Sequence, residues 1–212
     1  EVGQTRKLIN KIADNPHSSI PQLFNARGKS FKYITKAADE IRSQLNGNNI
    51  TYVVNRNINY TNICVYSCSF CAFSKSTGAK KLRGASYLLE LEEIQNRVRE
   101  AIRRGATEVC LQGGIHPKFD GNYYLDVIKA IRKVSPDIHI HAFSPLEIFQ
   151  GAQTLGLTLE EYLPILKEAG LNSLPGTAAL ERSVIVKGHR ARRVAGAVAA
   201  ARRVLAPGDA LA

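Results

Sequence analysis

The 212-residue sequence has no methionine and opens on glutamate. The expectation is therefore a segment cut from a longer chain, or one that lacks its true start. No apolar run approaches the roughly 18 residues that a membrane helix needs, and the opening residues lack the pattern of a secretory signal peptide. Both absences argue against a membrane or secreted protein and for the cytoplasm, with organelle targeting left open by the expected loss of the start. No G-x-G-x-x-G follows any candidate strand, which removes the dinucleotide fingerprint. Cysteine is scarce, with four residues at 64, 68, 71 and 110. In a cytosol-like compartment these point to metal or redox chemistry ahead of disulfides.

What is present is an ordinary globular composition, 44% hydrophobic and 22% charged, with a net charge of +11. That charge invites a nucleic-acid reading, but its distribution weakens it. Leu180 to Ala212 holds seven Lys/Arg against Glu181 and Asp209, a net +5. The remaining +6 is spread over the first 179 residues. An excess of that size suits an anionic ligand or a solvated surface equally well, so nucleic acid is not the expected partner.

The chain is read in three parts, 1–49, 50–179 and 180–212, the last set apart by its Ala/Arg-rich composition. The first part reads as a helical extension: a short helix over 4–13, then a longer one after Ser30 with Phe31, Ile34, Ala38, Ile41 and Leu45 on one face and Gly47 as its stop. From 50 onward strands and helices alternate. Ile50–Val54 is the first candidate strand. Ile58–Ile63 then leads into the cysteines, and the basic stretch Lys75–Gly84 reads as a surface loop. Leu91, Ile94, Val98 and Ile102 mark a helix, Glu108–Leu111 a strand, Leu125, Ile128 and Ile131 a helix ended by Pro136, and Ile138–Phe143 a strand. Thr158 with Glu161 forms a capping-box signature for a helix through Ala169, closed by Gly170, with Pro164 able to bend it. Leu171–Leu174 is the next strand. Repeated strand–helix units of this length imply parallel strands. Polar or glycine-rich signals recur after the strands, as expected where the C-terminal strand ends of an α/β barrel build a site.

Cys64, Cys68 and Cys71 form C-x3-C-x2-C directly after an apolar segment. Three thiolates within eight residues can hold three corners of a small cluster, whereas zinc sites take four ligands, usually as two separated pairs. Cys110 sits between Val109 and Leu111 and reads first as a small buried hydrophobe. A three-thiolate [4Fe–4S] site keeps one iron open, where the usual protein-only cluster has four cysteines.

This motif resembles the radical S-adenosylmethionine enzymes, and the resemblance implies a partial (β/α) barrel. It further implies that S-adenosylmethionine chelates the open iron and that an electron from the cluster cleaves it to methionine and a 5′-deoxyadenosyl radical. Phe70 matches the aromatic position near the adenine, with loop packing as its plain alternative. Gln112-Gly113-Gly114 stands where the superfamily's Gly-Gly-Glu motif binds the methionyl amine, although Ile115 replaces the Glu. The two glycines would let backbone approach a ligand.

NRNINYTNIC, CSFCAFSK, LRG, EVCLQGGIHP, HIHAFSPLEI and LPGTAA, in this order over about residues 20–179, resemble the tyrosine-using subunit of FO synthase. That family transfers the 4-hydroxybenzyl group of L-tyrosine to 5-amino-6-(D-ribitylamino)uracil on the way to the deazaflavin of coenzyme F420. The resemblance implies an external electron donor and a second FO synthase subunit or domain as partners. The menaquinone-pathway relatives, dehypoxanthine futalosine cyclase and aminofutalosine synthase, share much of Asn57–Phe73; the GTAA ending favours the FO synthase subunit.

Other polar positions carry two readings each. His139 and His141 alternate with Ile138 and Ile140 and face one side of their strand; His141, nearer its C-terminal end, is the better site candidate, against a structural hydrogen bond. His116 can touch cofactor or substrate. Ser144 and Glu147, in a loop beyond the third strand, can bind polar cofactor groups, or Glu147 can start a helix as a favourable N-terminal charge. Asn59, Tyr60 and Asn62 read as support behind the cluster loop, with Tyr60 also a candidate to face substrate.

After Ala179 the resemblance stops. The tail has nine alanines and seven basic residues, without aromatic, Asn, Gln or Thr. Val194, Val198, Ala201 and Leu205 allow an amphipathic basic helix. The expectation is an unrelated sequence joined near residue 180 and a barrel truncated after about its fourth strand. That keeps two further classes in competition: an inactive fragment with a basic tail, and, more weakly, a zinc module.

Overall fold

The computed structural model describes residues 2–10, 16–66, 71, 73–75 and 84–175. Cys68, Phe70, most of the basic loop, Gly176-Thr177 and the whole tail from Leu180 lie outside the described residues. The chain divides into two compact units, Glu1–Tyr52 and Val53–Ala212.

The first unit is helical: α1 (Val2–Asn10), α2 (Pro16–Phe24) and α3 (Gly28–Asn46). The expected helix over 4–13 starts earlier, at Val2, and residues 11–13 lie outside the described residues. α2 has no counterpart in the sequence reading, which took Asn15-Pro16 as a stop; Pro16 instead opens the helix, where its missing N–H costs nothing, and Pro21 lies inside it. α3 matches its predicted stripe and ends at Gly47, whose φ of 64° and N–H bond to the Ser43 carbonyl (2.9 Å) close the helix.

The second unit runs β1 (Asn55–Asn59), α4 (Leu91–Arg103), β2 (Glu108–Gln112), α5 (Gly121–Val134), β3 (His139–Ala142), α6 (Pro145–Thr154) and α7 (Leu159–Ala169). The three strands form a parallel sheet in chain order, with Asn57 opposite Cys110 and Cys110 opposite His141. A fourth segment joins β3 through a parallel bridge between His141 and Ser173, with Ala142 N–H bonded to the Ser173 carbonyl at 2.9 Å. This is the strand expected at Leu171–Leu174, reduced to one bridge.

The first strand lies five residues later than the apolar run Ile50–Val54 suggested. Ile50 and Tyr52 are exposed, and pairing starts where the Val54 carbonyl accepts the Thr107 N–H at 2.9 Å. β1 is asparagine-rich because only one of its faces is buried. Ile58, Val109, Leu111, Ile140 and Ala142 lie on the covered face and pack with Ile94 and Val98 of α4 and Val127, Ile128 and Ile131 of α5. Full burial of such a side chain is worth roughly 1.5–3 kcal/mol, so this face supplies the stability of the unit. The opposite face holds Asn55, Asn57, Asn59, Glu108, Cys110, Gln112, His139 and His141, all partly or fully exposed.

Helix ends follow from local chemistry. Asp120 caps α5 by accepting from the N–H groups of Asn122 (3.0 Å) and Tyr123 (3.1 Å). Thr158 and Glu161 form the predicted capping box of α7, and Gly170 closes that helix with φ of 114°. Arg132 ties the N-terminal end of the sheet together, donating to the carbonyls of Pro136, Ile138 and Gly170 and to Asn172 Oδ1. Of the two readings for Ser144 and Glu147, the loop gives way to the helix start: they open α6 with a second capping box.

Candidate active site

Three loops meet beyond the C-terminal ends of the strands. The first continues β1 through Tyr60, Thr61, Asn62 and Ile63 to Cys64. Buried Thr61 and Asn62 fasten it to the segment before α4. Thr61 Oγ1 donates to the Tyr87 carbonyl (2.7 Å), Asn62 Nδ2 to the Ala85 carbonyl (3.0 Å), and Asn62 Oδ1 accepts the Tyr87 N–H (2.8 Å). The Cys64 N–H bonds the Lys75 carbonyl (3.0 Å), and Lys75 N–H the Asn62 carbonyl (2.7 Å), so the two ends of the cysteine loop lie side by side.

Cys64 Sγ accepts two backbone N–H groups, from Ile115 at 3.3 Å and Tyr66 at 3.4 Å. Donors aimed at one sulfur suit a thiolate, and hydrogen bonds to ligand sulfurs are one means of tuning a cluster. Cys64 and Cys71 are both partly buried free thiols. With Cys68 four residues on, this donor set fits a thiolate-held iron–sulfur cluster.

The second loop follows β2. A Cβ on Gly113 would lie 2.4 Å from the Tyr60 ring, and one on Gly114 would lie 2.2 Å from the Ile63 carbonyl oxygen. The sequence reading reserved that room for a ligand. The structure fills it with the chain's own atoms, so both glycines are needed for the second loop to lie against the first. Gly114 N–H bonds the Thr61 carbonyl (3.0 Å) and Val65 N–H the Ile115 carbonyl (2.9 Å), which completes the seam. Gln112 is the last β2 residue, opposite Asn59 on the open face.

The third loop carries Ser144 and Glu147. Glu147 is 1% exposed. Its Oε2 accepts the Ser144 N–H (2.7 Å) and hydroxyl (2.5 Å); its Oε1 accepts the Gly113 N–H (3.1 Å) and the Tyr60 hydroxyl. One carboxylate thus joins all three loops. Burial pushes its pKa up to about 7, against the hydrogen bonds from Ser144, Tyr60 and Gly113, which favour the charged form. Tyr60 is fully buried, and burial followed by the charge of Glu147 raises its phenol well above the usual value. Of the two readings for Tyr60, the geometry describes support behind the site, with the hydroxyl already engaged. Ser144 and Glu147 are likewise engaged with each other.

His116 stacks on Phe119 (4.5 Å), which stacks on Tyr123 (3.6 Å) beside Tyr60. Its Nδ1 accepts the Lys118 N–H (3.2 Å), and burial with the Lys118 charge lowers its pKa. His141 is half-buried on the open face, level with Cys110. Its Nδ1 lies 2.6 Å from Ser173 Oγ, and the same oxygen lies 2.7 Å from His139 Nε2. Ser173 drew no notice in the sequence, since its role appears only once the fourth segment is bridged to β3. Cys110 sits in the His141 row, partly buried, and burial raises its thiol pKa, with Glu108 and Glu147 adding to the effect. A groove of about 610 Å³ between α4, α5 and α7, lined by Gln95, Lys129, Arg132 and Lys133 among others, contains none of these residues.

The chain matches the radical SAM superfamily over residues 58–204, which runs past Leu180 into the stretch that the sequence reading set apart. It is 45% identical over 178 residues to the 5-amino-6-(D-ribitylamino)uracil–L-tyrosine 4-hydroxyphenyl transferase of Methanothermobacter thermautotrophicus, covering 83% of this chain and 47% of that protein. The transferase of the same name from Methanocaldococcus jannaschii is 52% identical over 147 residues, covering 68% and 40%. An FO synthase of Streptomyces avermitilis is 45% identical over 157 residues, covering 74% and 18%. The chain thus spans less than half the length of these curated relatives. Among solved structures, methylornithine synthase superposes with a TM-score of 0.62 at 17% identity, covering 93% of this chain and 56% of that one. A maturase of the [FeFe]-hydrogenase superposes at 0.64 and 18%, covering 96% and 44%. These two likenesses establish the partial barrel fold. Among the described residues no helix is long and apolar enough to cross a membrane.

Proposed function

The chain belongs to the radical SAM superfamily, and from that premise we propose that it carries the tyrosine-using step of deazaflavin formation, in the cytoplasm. In this reaction the 4-hydroxybenzyl group of L-tyrosine is joined to 5-amino-6-(D-ribitylamino)uracil. The observation that carries this reading is the meeting of the cysteine loop, Gly113-Gly114 and the Ser144–Glu147 cap at the strand ends of a chain 45–52% identical to transferases of that name.

Cys64, Cys68 and Cys71 would hold a [4Fe–4S] cluster and leave its fourth iron to S-adenosylmethionine. When bound, the cluster supplies the electron that cleaves S-adenosylmethionine to methionine and a 5′-deoxyadenosyl radical. Phe70 would pack near the adenine. The edge at Gln112, Gly113 and Gly114 would meet the methionyl amine, held in place from behind by Tyr60 and Glu147. Ser144 would contribute through the same cap. His116, at the mouth of the loops, and His141, on the open sheet face, are the residues offered to substrate. An external one-electron donor and the second FO synthase subunit or domain are the partners this reading requires.

The test is turnover by anaerobically reconstituted protein with dithionite, S-adenosylmethionine, ring-labelled tyrosine and the aminouracil. The expected result is 5′-deoxyadenosine formed only with tyrosine, together with an adduct carrying the labelled ring. Cleavage that ignores tyrosine and responds to a futalosine-type nucleoside would reject the reading in favour of the menaquinone-pathway relatives.

A further inference from the structure

The open face of the sheet carries a connected set of polar side chains that runs from Glu108 to His141. Asn55 Nδ2 donates to Glu108 Oε1 (3.1 Å), and Glu108 Oε2 lies 3.9 Å from His139 Nε2. His139 Nε2 and His141 Nδ1 lie 2.7 Å and 2.6 Å from the same Ser173 hydroxyl. Ser173 is 4% exposed, so this hydroxyl has little access to water.

A serine hydroxyl has one proton to donate. If it gives that proton to one imidazole, the other must donate to it. The Glu108 carboxylate breaks the tie, because a negative charge beside His139 Nε2 favours a proton there over a lone pair. His139 Nε2–H then donates to Ser173, and Ser173 Oγ–H donates to His141 Nδ1. That direction holds whether His139 is neutral or cationic. A neutral His141 with Nδ1 accepting must carry its own proton on Nε2. Burial lowers the His141 pKa, with Glu108 acting against it and His139 with it, which agrees with a neutral ring. His141 lies level with Cys110 and Asn57, on the face away from Ile140 and Ala142, and its Nε2 has no protein partner among the described residues.

We infer that Ser173, oriented through His139 by Glu108, fixes His141 as an Nε2–H donor. That donor meets an oxygen acceptor of the substrate on the open sheet face. His141 is then a binding residue for a neutral carbonyl such as those of a uracil ring, and does not remove a proton. Ser173 and His139 are positioning residues. The identity of the acceptor rests on the proposed function; the tautomer does not.

Long-range 1H–15N correlation spectra of the uniformly 15N-labelled 212-residue chain read the tautomer without cluster or substrate. The expected result near pH 7.5 is a pyridine-type Nδ1 and a pyrrole-type Nε2 for His141, kept in Ser173→Thr and averaged between tautomers in Ser173→Ala. A pyrrole-type Nδ1, or an imidazolium pattern, in the unsubstituted chain would overturn the proposal, even if a variant failed to fold. In the reconstituted protein, His141→Leu should raise the aminouracil KM on the order of tenfold, and His141→Gln, which keeps an N–H near the same place, should restore it. An unchanged KM in His141→Leu would overturn the assigned acceptor. Failure of tyrosine-dependent turnover would reject the proposed function and leave the spectra to decide the tautomer.

Discussion

The same local motif occurs twice in the second unit, at Ser144-x-x-Glu147 and at Thr158-x-x-Glu161, and the two copies do different work. Both are capping boxes with the serine or threonine hydroxyl and the glutamate bonded reciprocally. Glu161 lies at the surface, and among the described residues its carboxylate accepts only from Thr158. Glu147 is buried, and the oxygen its cap does not use accepts from Tyr60 and Gly113, 87 and 34 residues away. Sequence spacing specifies the helix start in both. Burial turns one of them into a clamp between the loop that holds Cys64 and the loop that holds Gly114.

The sharpest way to break this comparison is to remove each carboxylate. Glu147→Ala leaves the buried Tyr60 hydroxyl and the Gly113 and Ser144 N–H groups without their acceptor, and should cost about 3 kcal/mol or more by urea denaturation. Glu161→Ala should cost well under half as much, since water replaces the lost acceptor. Equal losses at the two positions would show that Glu147 is only a helix cap.

The pH response should differ in sign. The folded-state pKa of Glu147 lies above the unfolded carboxylate value, so the folded protein holds that proton more tightly. The associated stability is complete below the unfolded value of about 4.3 and is lost as pH rises through about 7, by roughly 3–4 kcal/mol across that window. Hydrogen bonds from Thr158 lower the Glu161 pKa, so its contribution is present above the unfolded value and is lost as pH falls through the folded one. Thermal melts from pH 4 to 8 should therefore show a fall in stability toward neutral pH that Glu147→Gln removes and Glu161→Gln leaves in place.

A smaller effect tests the seam between the loops. Gly114→Ala puts a methyl group against the Ile63 carbonyl and Cys64 Cβ, both close to backbone. It should cost about 1–3 kcal/mol and lower the iron retained after reconstitution. Gly156→Ala is a useful contrast, because Gly156 has open space around it and a φ of 68° instead. Its cost should come from backbone conformation alone, with iron content unchanged.

What could be read from sequence divides along the same line between local and distant contacts. The stripe Ile94, Val98 and the pair Ile128, Ile131 predicted α4 and α5, and Thr158 with Glu161 predicted α7, because each signal lies within a turn or two of helix. The spacing of Cys64, Cys68 and Cys71 and the order of motifs around them carried the family. β1 was misplaced because Ile50–Val54 is more apolar than Asn55–Asn59, and a strand with a single covered face needs only Ile58. α6 stayed one of two readings, since Glu147 could start a helix or sit in a strand-end loop after Phe143; its capping box decides for the helix. The Tyr60–Glu147–Gly113 junction and the His139–Ser173–His141 relay depend on residues 32 to 87 positions apart. No local pattern encodes them.

The central claim is that the strand ends hold a cluster through three cysteines of one loop, with Cys110 outside it. The most direct measurement is iron and sulfide content with the EPR spectrum of the reduced protein after anaerobic reconstitution, for the unsubstituted chain and for alanine variants at Cys64, Cys68, Cys71 and Cys110. The account predicts about four irons per chain, an EPR signal altered by S-adenosylmethionine, loss of both in the first three variants and retention of both in Cys110→Ala. A cluster that survives without Cys64, Cys68 or Cys71, or that disappears with Cys110 alone, would contradict it.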